Sequence, residues 1–125
     1  MIPRLVALKG PILLVEDDHD VRVTVRSILE DEGYEVWTAT NGRSAIELLQ
    51  NAPLKPVLAL VDLMMPIMDG WELIALLKKT GVLAELPVIV QSAFFDRDPP
   101  SGITAFLKKP VDVDALLELV SKNSP

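Results

Sequence analysis

The sequence contains no cysteine. A disulfide framework and a thiolate metal site are therefore excluded, and the chain suits a reducing compartment. Aromatic residues make up only 5% of it, so an interior must be built from Leu, Val, Ile and Ala. No apolar run approaches the roughly 20 residues that a membrane-spanning helix needs. The N-terminal "MIPRLVALKGPILLVEDD" comes nearest to a leader. Lys9, Gly10 and Pro11 break its apolar stretch and acids follow at once, so it does not read as a signal peptide. Positive charge is also short: 12 Lys and Arg against 18 Asp and Glu leave a net charge of −6. That balance argues against sequence-independent binding of nucleic acid by this domain. The one histidine, His19, lies beside acids, where an exposed, non-catalytic place suits it better than phosphorelay chemistry.

At 125 residues, half of them apolar, the chain is large enough for one domain with a core that needs no staples. Short apolar runs alternate with amphipathic segments. Strands are expected over 11–17, 34–39, 57–62, 87–92 and 104–109, and helices over 20–33, 42–52, 71–81 and 113–122. In the first helix Val21, Val25, Ile28 and Leu29 fall on one face, and Gly33 marks its stop. Alternating strands and helices predict an α/β fold with a parallel sheet covered on both faces. Residues 1–10 read as an N-terminal extension, 11–122 as the domain and 123–125 as a tail. One stretch breaks the rhythm. Between the last two strands, where a crossover helix is due, stands "AFFDRDPPSGI", and Pro99, Pro100 and Gly102 oppose helical geometry. The fourth crossover helix is expected to be short or missing.

The stretch "VLALVDLMMPIMDGWEL" joins five apolar residues, Val57 to Val61, to a carboxylate, Asp62. An unpaired charge at the end of a buried run is costly. The strand order explains it, because ligands of doubly wound sheets bind outside the carboxyl ends of the strands. Those ends carry Glu16, Asp17, Asp62, Ser92 and Lys109. Crowded acids repel one another, and a hard divalent cation offsets this through oxygen ligands. Asp17 and Asp62 are the candidate direct ligands of Mg²⁺, or of Mn²⁺ in its place, with Glu16 reaching the ion through water. A carboxylate can also attack a phosphoryl group and become an aspartyl phosphate. The metal, the Lys109 ammonium and the Ser92 hydroxyl would then stabilise charge on the transferred group. Asp18 reads better as a helix cap than as a ligand. Lys108 reads as a solvent-facing lysine, and Met64, Met65 and Met68 as packing.

Together, "ILLVEDDHDVR", "LVDLMMPIMDGWEL", "PVIVQSA" and "FLKKP" resemble the receiver domain of two-component response regulators, the CheY-like family. Each piece alone is weak; the ordered set, each member at a strand end, is specific and covers residues 11–122. The resemblance implies a flavodoxin-like, doubly wound sheet of five parallel strands in the order 2-1-3-4-5. It implies Asp62 as phosphoacceptor, Glu16 and Asp17 as the acidic pair, and the Met64 backbone carbonyl as a further metal ligand. Ser92 would be the switch hydroxyl and Phe106 the switch aromatic. Lys109 would pair with a phosphoryl oxygen, and its bond to Pro110 would be cis. A histidine kinase or phosphotransfer protein would supply the phosphoryl group. A cytoplasmic location, an unidentified output partner and a possible homodimer follow from the same likeness, with no direct contact to nucleic acid and no membrane insertion. Such a chain is a stand-alone receiver or a piece of a larger regulator. It is no enzyme beyond its own phosphorylation and dephosphorylation.

Two rival readings stand beside this one. A Mg²⁺-dependent phosphatase of the haloacid dehalogenase type also forms an aspartyl phosphate, but it wants an acid two residues after the nucleophile, and Met64 is there. A pseudo-receiver acting without phosphorylation would fit the shortened crossover but not the complete set of acids, serine and lysine. The family spends several more residues between hydroxyl and lysine, so a non-standard output surface is expected here.

Overall fold

The structure is a computed structural model that describes residues 9–52, 54–93 and 98–125. Five parallel strands form one sheet: β1 (Lys9–Val15), β2 (Tyr34–Ala39), β3 (Leu58–Asp62), β4 (Val88–Ser92) and β5 (Ala105–Lys108), in the order β2-β1-β3-β4-β5. Helices α1 (His19–Asp31), α2 (Gly42–Asn51), α3 (Gly70–Lys79) and α4 (Val113–Asn123) connect and close it. A 3₁₀ turn, Val82–Ala84, follows α3. The expected doubly wound α/β architecture and strand order are present.

Both faces of the sheet are covered, which is why its central strands read as unbroken apolar runs. Successive side chains in a strand point to opposite faces. Leu13, Val15, Ala59, Val61, Val88 and Val90 pack with Ala45 of α2 and Leu73, Ile74 and Leu77 of α3. Ile12, Leu14, Leu58, Leu60 and Ile89 pack with Val25 and Leu29 of α1 and Leu116 and Val120 of α4. All five residues of β3 are buried, so the strand that ends in Asp62 is held from both sides.

The helices start where short acceptors meet orphan N–H groups. Asp18 accepts from Val21 N–H, Asn41 from Ser44 N–H and Asp112 from Ala115 N–H. Asp69 and Glu72 form a reciprocal capping box at α3. Lys78 and Lys79 close the last turn of α3, where cations suit the helix dipole.

Some boundaries differ from the expectation. β1 begins at Lys9, whose N–H donates to the Gly33 carbonyl, and ends at Val15 rather than Asp17. Glu16 and Asp17 therefore stand past the strand. The segment expected to replace a crossover helix falls partly on residues 94–97, which lie outside the described residues. Its described part, residues 98–104, carries no helix. It lies along α3: Trp71 Nε1–H donates to the Asp98 carbonyl at 3.4 Å, and Lys78 Nζ to Ser101 Oγ at 2.8 Å.

One core position conflicts with its surroundings. Gln91 is fully buried in β4, in register with Asp62 on one side and Leu107 on the other. Neither its amide nitrogen nor its oxygen has a hydrogen-bond partner among the described residues. An unsatisfied buried polar group costs about 1–3 kcal/mol. Gln91→Leu, of similar size, is therefore expected to stabilise the fold by about 1–3 kcal/mol, read as a higher denaturant midpoint at unchanged slope. An unchanged or lower midpoint would show that an ordered water already satisfies the carboxamide.

Candidate functional site

The site forms where β1, β3 and β5 end on one edge of the sheet. Glu16 follows β1 and is fixed by its own backbone, its N–H donating to the Ala39 carbonyl at 3.0 Å. Its side chain is fully buried, while Asp17 next to it is exposed. Asp62 ends β3 and is only 4% exposed. One carboxylate oxygen from each of Glu16, Asp17 and Asp62 can be chosen so that the three lie within 4.8 Å of one another.

Among the described residues a single ammonium enters this cluster. Lys109 Nζ lies 2.7 Å from Glu16 Oε1 and 3.5 Å from Asp62 Oδ2. Its backbone N–H donates to the Ser92 carbonyl at 3.0 Å, which ties the residue after β5 to the end of β4. The Lys109–Pro110 bond is cis. The other Glu16 oxygen accepts from Asp18 N–H at 3.2 Å, and Asp62 Oδ1 accepts a long bond from Met64 N–H at 3.4 Å. The family resemblance gave Lys109 a phosphoryl oxygen as its partner. Here its shorter contact is to Glu16, a partner 93 residues away in the chain.

These surroundings set the proton affinities. Burial, and then the Glu16 charge beside it, push the Asp62 carboxyl up from 3.8 to about 7, against the pull of Lys109 and the Met64 N–H. Burial pulls the Lys109 ammonium down. The Glu16 hydrogen bond and the Asp62 charge outweigh it, and the net displacement is upward. Lys109 stays charged, and Glu16 and Asp62 compete for it.

The loop from Asp62 to α3 is held by a close approach of backbone. Gly70 N–H donates to the Leu63 carbonyl at 2.9 Å. A Cβ at Gly70 would stand 2.5 Å from the Asp62 carbonyl oxygen and 2.7 Å from Leu63 Cα. Only glycine fits there. On the other side, Arg22 braces the loop carrying the acids, with Nη1 donating to the Glu16 carbonyl at 3.0 Å and the Asp17 carbonyl at 3.3 Å. Sequence reasoning gave Arg22 no role. Its only trace was an arginine in the first turn of a helix that follows the acidic pair.

The remaining expected residues are distributed as follows. Ser92 ends β4 and is fully buried. Its neighbour in sequence, Gln91, shares the α1/α4 face with Asp62, so alternation puts Ser92 on the α2/α3 face. Phe106, in register with Val90, packs on that same face. Lys108 is exposed, and Trp37 is half-buried on β2. His19 opens α1, exposed, with Nδ1 3.3 Å from Arg22 Nη2. Met64 is 48% exposed.

The donor set fits a hard divalent cation. Three carboxyls against one ammonium leave negative charge uncompensated, and every side-chain donor in the cluster is oxygen. Glu16 is committed at both oxygens, to Lys109 and to Asp18 N–H. Asp17, exposed, and Asp62, whose contacts to Lys109 and Met64 N–H are 3.5 and 3.4 Å, are the candidates to offer oxygens to an ion.

Comparison with known proteins agrees with this arrangement. A family model described as the response regulator receiver domain matches residues 12–121. An uncharacterised 14.6 kDa protein of Leptolyngbya boryana is 40% identical over 116 residues, covering 89% of this chain and 87% of that protein. The sporulation initiation phosphotransferase F of Bacillus subtilis is 31% identical over 120 residues, covering 91% of this chain and 93% of that protein. A crystal structure of a CheY-like receiver domain protein from Methanospirillum hungatei superposes with a TM-score of 0.78 at 27% identity, over 90% of this chain and 92% of that one.

The raised Asp62 value makes stability depend on pH. Between about 4 and about 7 the folded protein keeps a proton on Asp62 that the unfolded chain has released. The folded state binds more protons there, so stability must fall as pH rises through that window and level off above it. Denaturant titrations in EDTA between pH 4.5 and 8 are expected to show this loss in the wild type. Asp62→Asn should lack this component of the slope; parallel pH profiles for the two proteins would refute the assignment.

Proposed function

This chain belongs to the response regulator receiver domain family, and from that premise we propose that it is a phosphorylatable receiver that takes a phosphoryl group onto Asp62. The observation that supports this most directly is the cluster itself. Oxygens of Glu16, Asp17 and Asp62 lie within 4.8 Å of one another beside Lys109, at the carboxyl edge of a receiver fold.

The transfer is a substitution at phosphorus. An Asp62 carboxylate oxygen attacks the phosphorus of a phosphohistidine. The O–P bond forms, the P–N bond breaks, and its electron pair returns to the imidazole nitrogen of the donor. Hydrolysis of the acyl phosphate resets the protein. β3 supplies the rigid mount, so the attacking oxygen costs little to orient. Burial, which raises the Asp62 pKa, also keeps its carboxylate poorly solvated. Lys109 would leave Glu16 to meet the new phosphoryl oxygens, and the buried Ser92 hydroxyl would turn toward them. Phe106, on the same face as Ser92, would respond to that movement.

Asp17, Asp62 and the Met64 carbonyl would hold Mg²⁺ or Mn²⁺, with Glu16 acting through water. The bound ion supplies positive charge against the oxygens of the transferred group. The donor would be a histidine kinase or a phosphotransfer protein, in the cytoplasm. The protein thus modifies itself rather than turning over a separate substrate. The described part of the β4–β5 crossover carries no helix, which supports an output face unlike the usual one and a partner suited to it.

With Mg²⁺ and acetyl phosphate, intact mass is expected to show one phosphoryl adduct, absent in Asp62→Asn and strongly slowed in Lys109→Ala. If neither acetyl phosphate nor phosphoramidate gives an adduct, the chain is an interaction module that works without phosphorylation. Separately, Mg²⁺ should raise the melting temperature relative to EDTA, by relieving repulsion among the acids. Asp17→Asn should abolish that rise. An equal rise in the variant would place the ion elsewhere.

A further inference from the structure

Gln91 takes no part in the proposed transfer, yet it is the polar side chain whose place in the core is hardest to explain. It is fully buried, and neither end of its carboxamide has a hydrogen-bond partner among the described residues. A group left this way is costly, and each such case in a folded protein calls for a reason. Leucine or methionine would fill the position without that cost, so packing does not supply the reason.

The position of Gln91 in the sheet does supply one. Leu14, Leu60 and Ile89 lie on the face covered by α1 and α4. Two residues further along each chain, alternation puts Glu16, Asp62 and Gln91 on that same face. Val15 pairs with Val61, Asp62 with Gln91, and Gln91 with Leu107. Glu16, just past β1, therefore continues a row that runs through Asp62 and Gln91 to Leu107. Neighbouring strands lie about 4.8 Å apart, a gap that a glutamine carboxamide spans with room for a hydrogen bond. Leu107, on one side of Gln91, has an apolar side chain. Asp62, on the other side, is the polar group beside it.

The reset of Asp62 calls for a donor there. In hydrolysis of the aspartyl phosphate a water oxygen bonds to phosphorus. The bond from phosphorus to the Asp62 oxygen breaks and its electron pair stays on the carboxylate. Both protons of the water leave with the phosphate. Negative charge thus returns to a carboxylate that is only 4% exposed, where solvent gives it little help. Lys109, 3.5 Å from Asp62 at rest, is engaged with phosphoryl oxygens in the proposed mechanism, and Met64 N–H is a long donor at 3.4 Å. The Gln91 amide has no competing bond among the described residues. We infer that Gln91 is a positioning residue for the reset step: its amide N–H donates to the Asp62 oxygen not bonded to phosphorus, steadies the carboxylate as it leaves and so shortens the life of the aspartyl phosphate. Such a bond speeds the step because it strengthens as charge develops. The inference rests on reading Asp62 as the phosphoacceptor.

The test loads the full chain with acetyl phosphate and Mg²⁺, removes the acetyl phosphate and follows the adduct by intact mass at fixed pH and Mg²⁺. Gln91→Leu and Gln91→Met both lack the donor, and methionine keeps the length and flexibility of glutamine. Both are expected to lengthen the half-life of the adduct about tenfold, the worth of one hydrogen bond to a developing charge. A higher melting temperature with the wild-type half-life would mark a merely structural residue and overturns the inference. A long half-life in one variant and the wild-type value in the other also overturns it, since shape rather than the donor would then set the rate. So does a shortened half-life, or a folded variant that takes no phosphoryl group while the wild type does. A wild type that gives no adduct with acetyl phosphate or phosphoramidate sinks the phosphoacceptor reading itself, and this role with it.

Discussion

Among the described residues Lys109 is the one ammonium held between Glu16 and Asp62, and the neighbourhood is built around that shortage of positive charge. Glu16 is fully buried and Asp62 nearly so, and Asp17 brings a third carboxyl within reach. Removing such charges from water is tolerable only when each has partners. Glu16 takes the best of them, with Lys109 at 2.7 Å and Asp18 N–H at 3.2 Å. Asp62 has longer contacts to Met64 N–H and Lys109, 3.4 and 3.5 Å, and burial and the Glu16 charge outweigh them, so its proton affinity rises. The acid proposed to accept the phosphoryl group is therefore the more loosely held of the two buried ones. A divalent cation or a phosphoryl group changes that distribution, because either gives the cluster a new charge to organise around. Any such change reaches β1, β3 and β5 together, since each contributes one member.

Much of this was legible in the chain because the signals are local or periodic. The apolar runs became strands buried on both faces, and Asp18 proved to be the cap of α1. The ordered strand ends put Glu16, Asp17, Asp62 and Lys109 together before any coordinates. Features set by contacts distant in sequence were not legible. β1 begins at Lys9 because of Gly33 and Tyr34 on its neighbour, which nothing in "LKGP" announces. Lys109 prefers Glu16 over Asp62 by a margin that only side-chain geometry decides. Gln91 looked like an ordinary member of "PVIVQS", yet its carboxamide is sealed in a core without a partner among the described residues. The positive φ of Ile67, in the loop between β3 and α3, was hidden because isoleucine gives no hint of it, whereas glycine at that position would have.

The β4–β5 connection shows which parts of the fold the chemistry needs. The site requires β5 to lie beside β4 and Lys109 to leave it at the right height. Two backbone bonds meet that need, Thr104 N–H to the Val88 carbonyl at 2.8 Å and Lys109 N–H to the Ser92 carbonyl at 3.0 Å. What lies between β4 and β5 only has to span the distance. Here its described part does so without helix, resting on α3 through Trp71 and Lys78. A full crossover helix would add packing outside the sheet, but no ligand to the acidic cluster. The edge that carries the acids and the flank that carries the crossover are thus mechanically separable, and the flank can be rebuilt while Asp62, Glu16 and Lys109 keep their places. Pressure on the chemistry acts on strand ends and on the two loops that Arg22 and Gly70 brace. Pressure on the readout acts on a connection that only needs to be long enough.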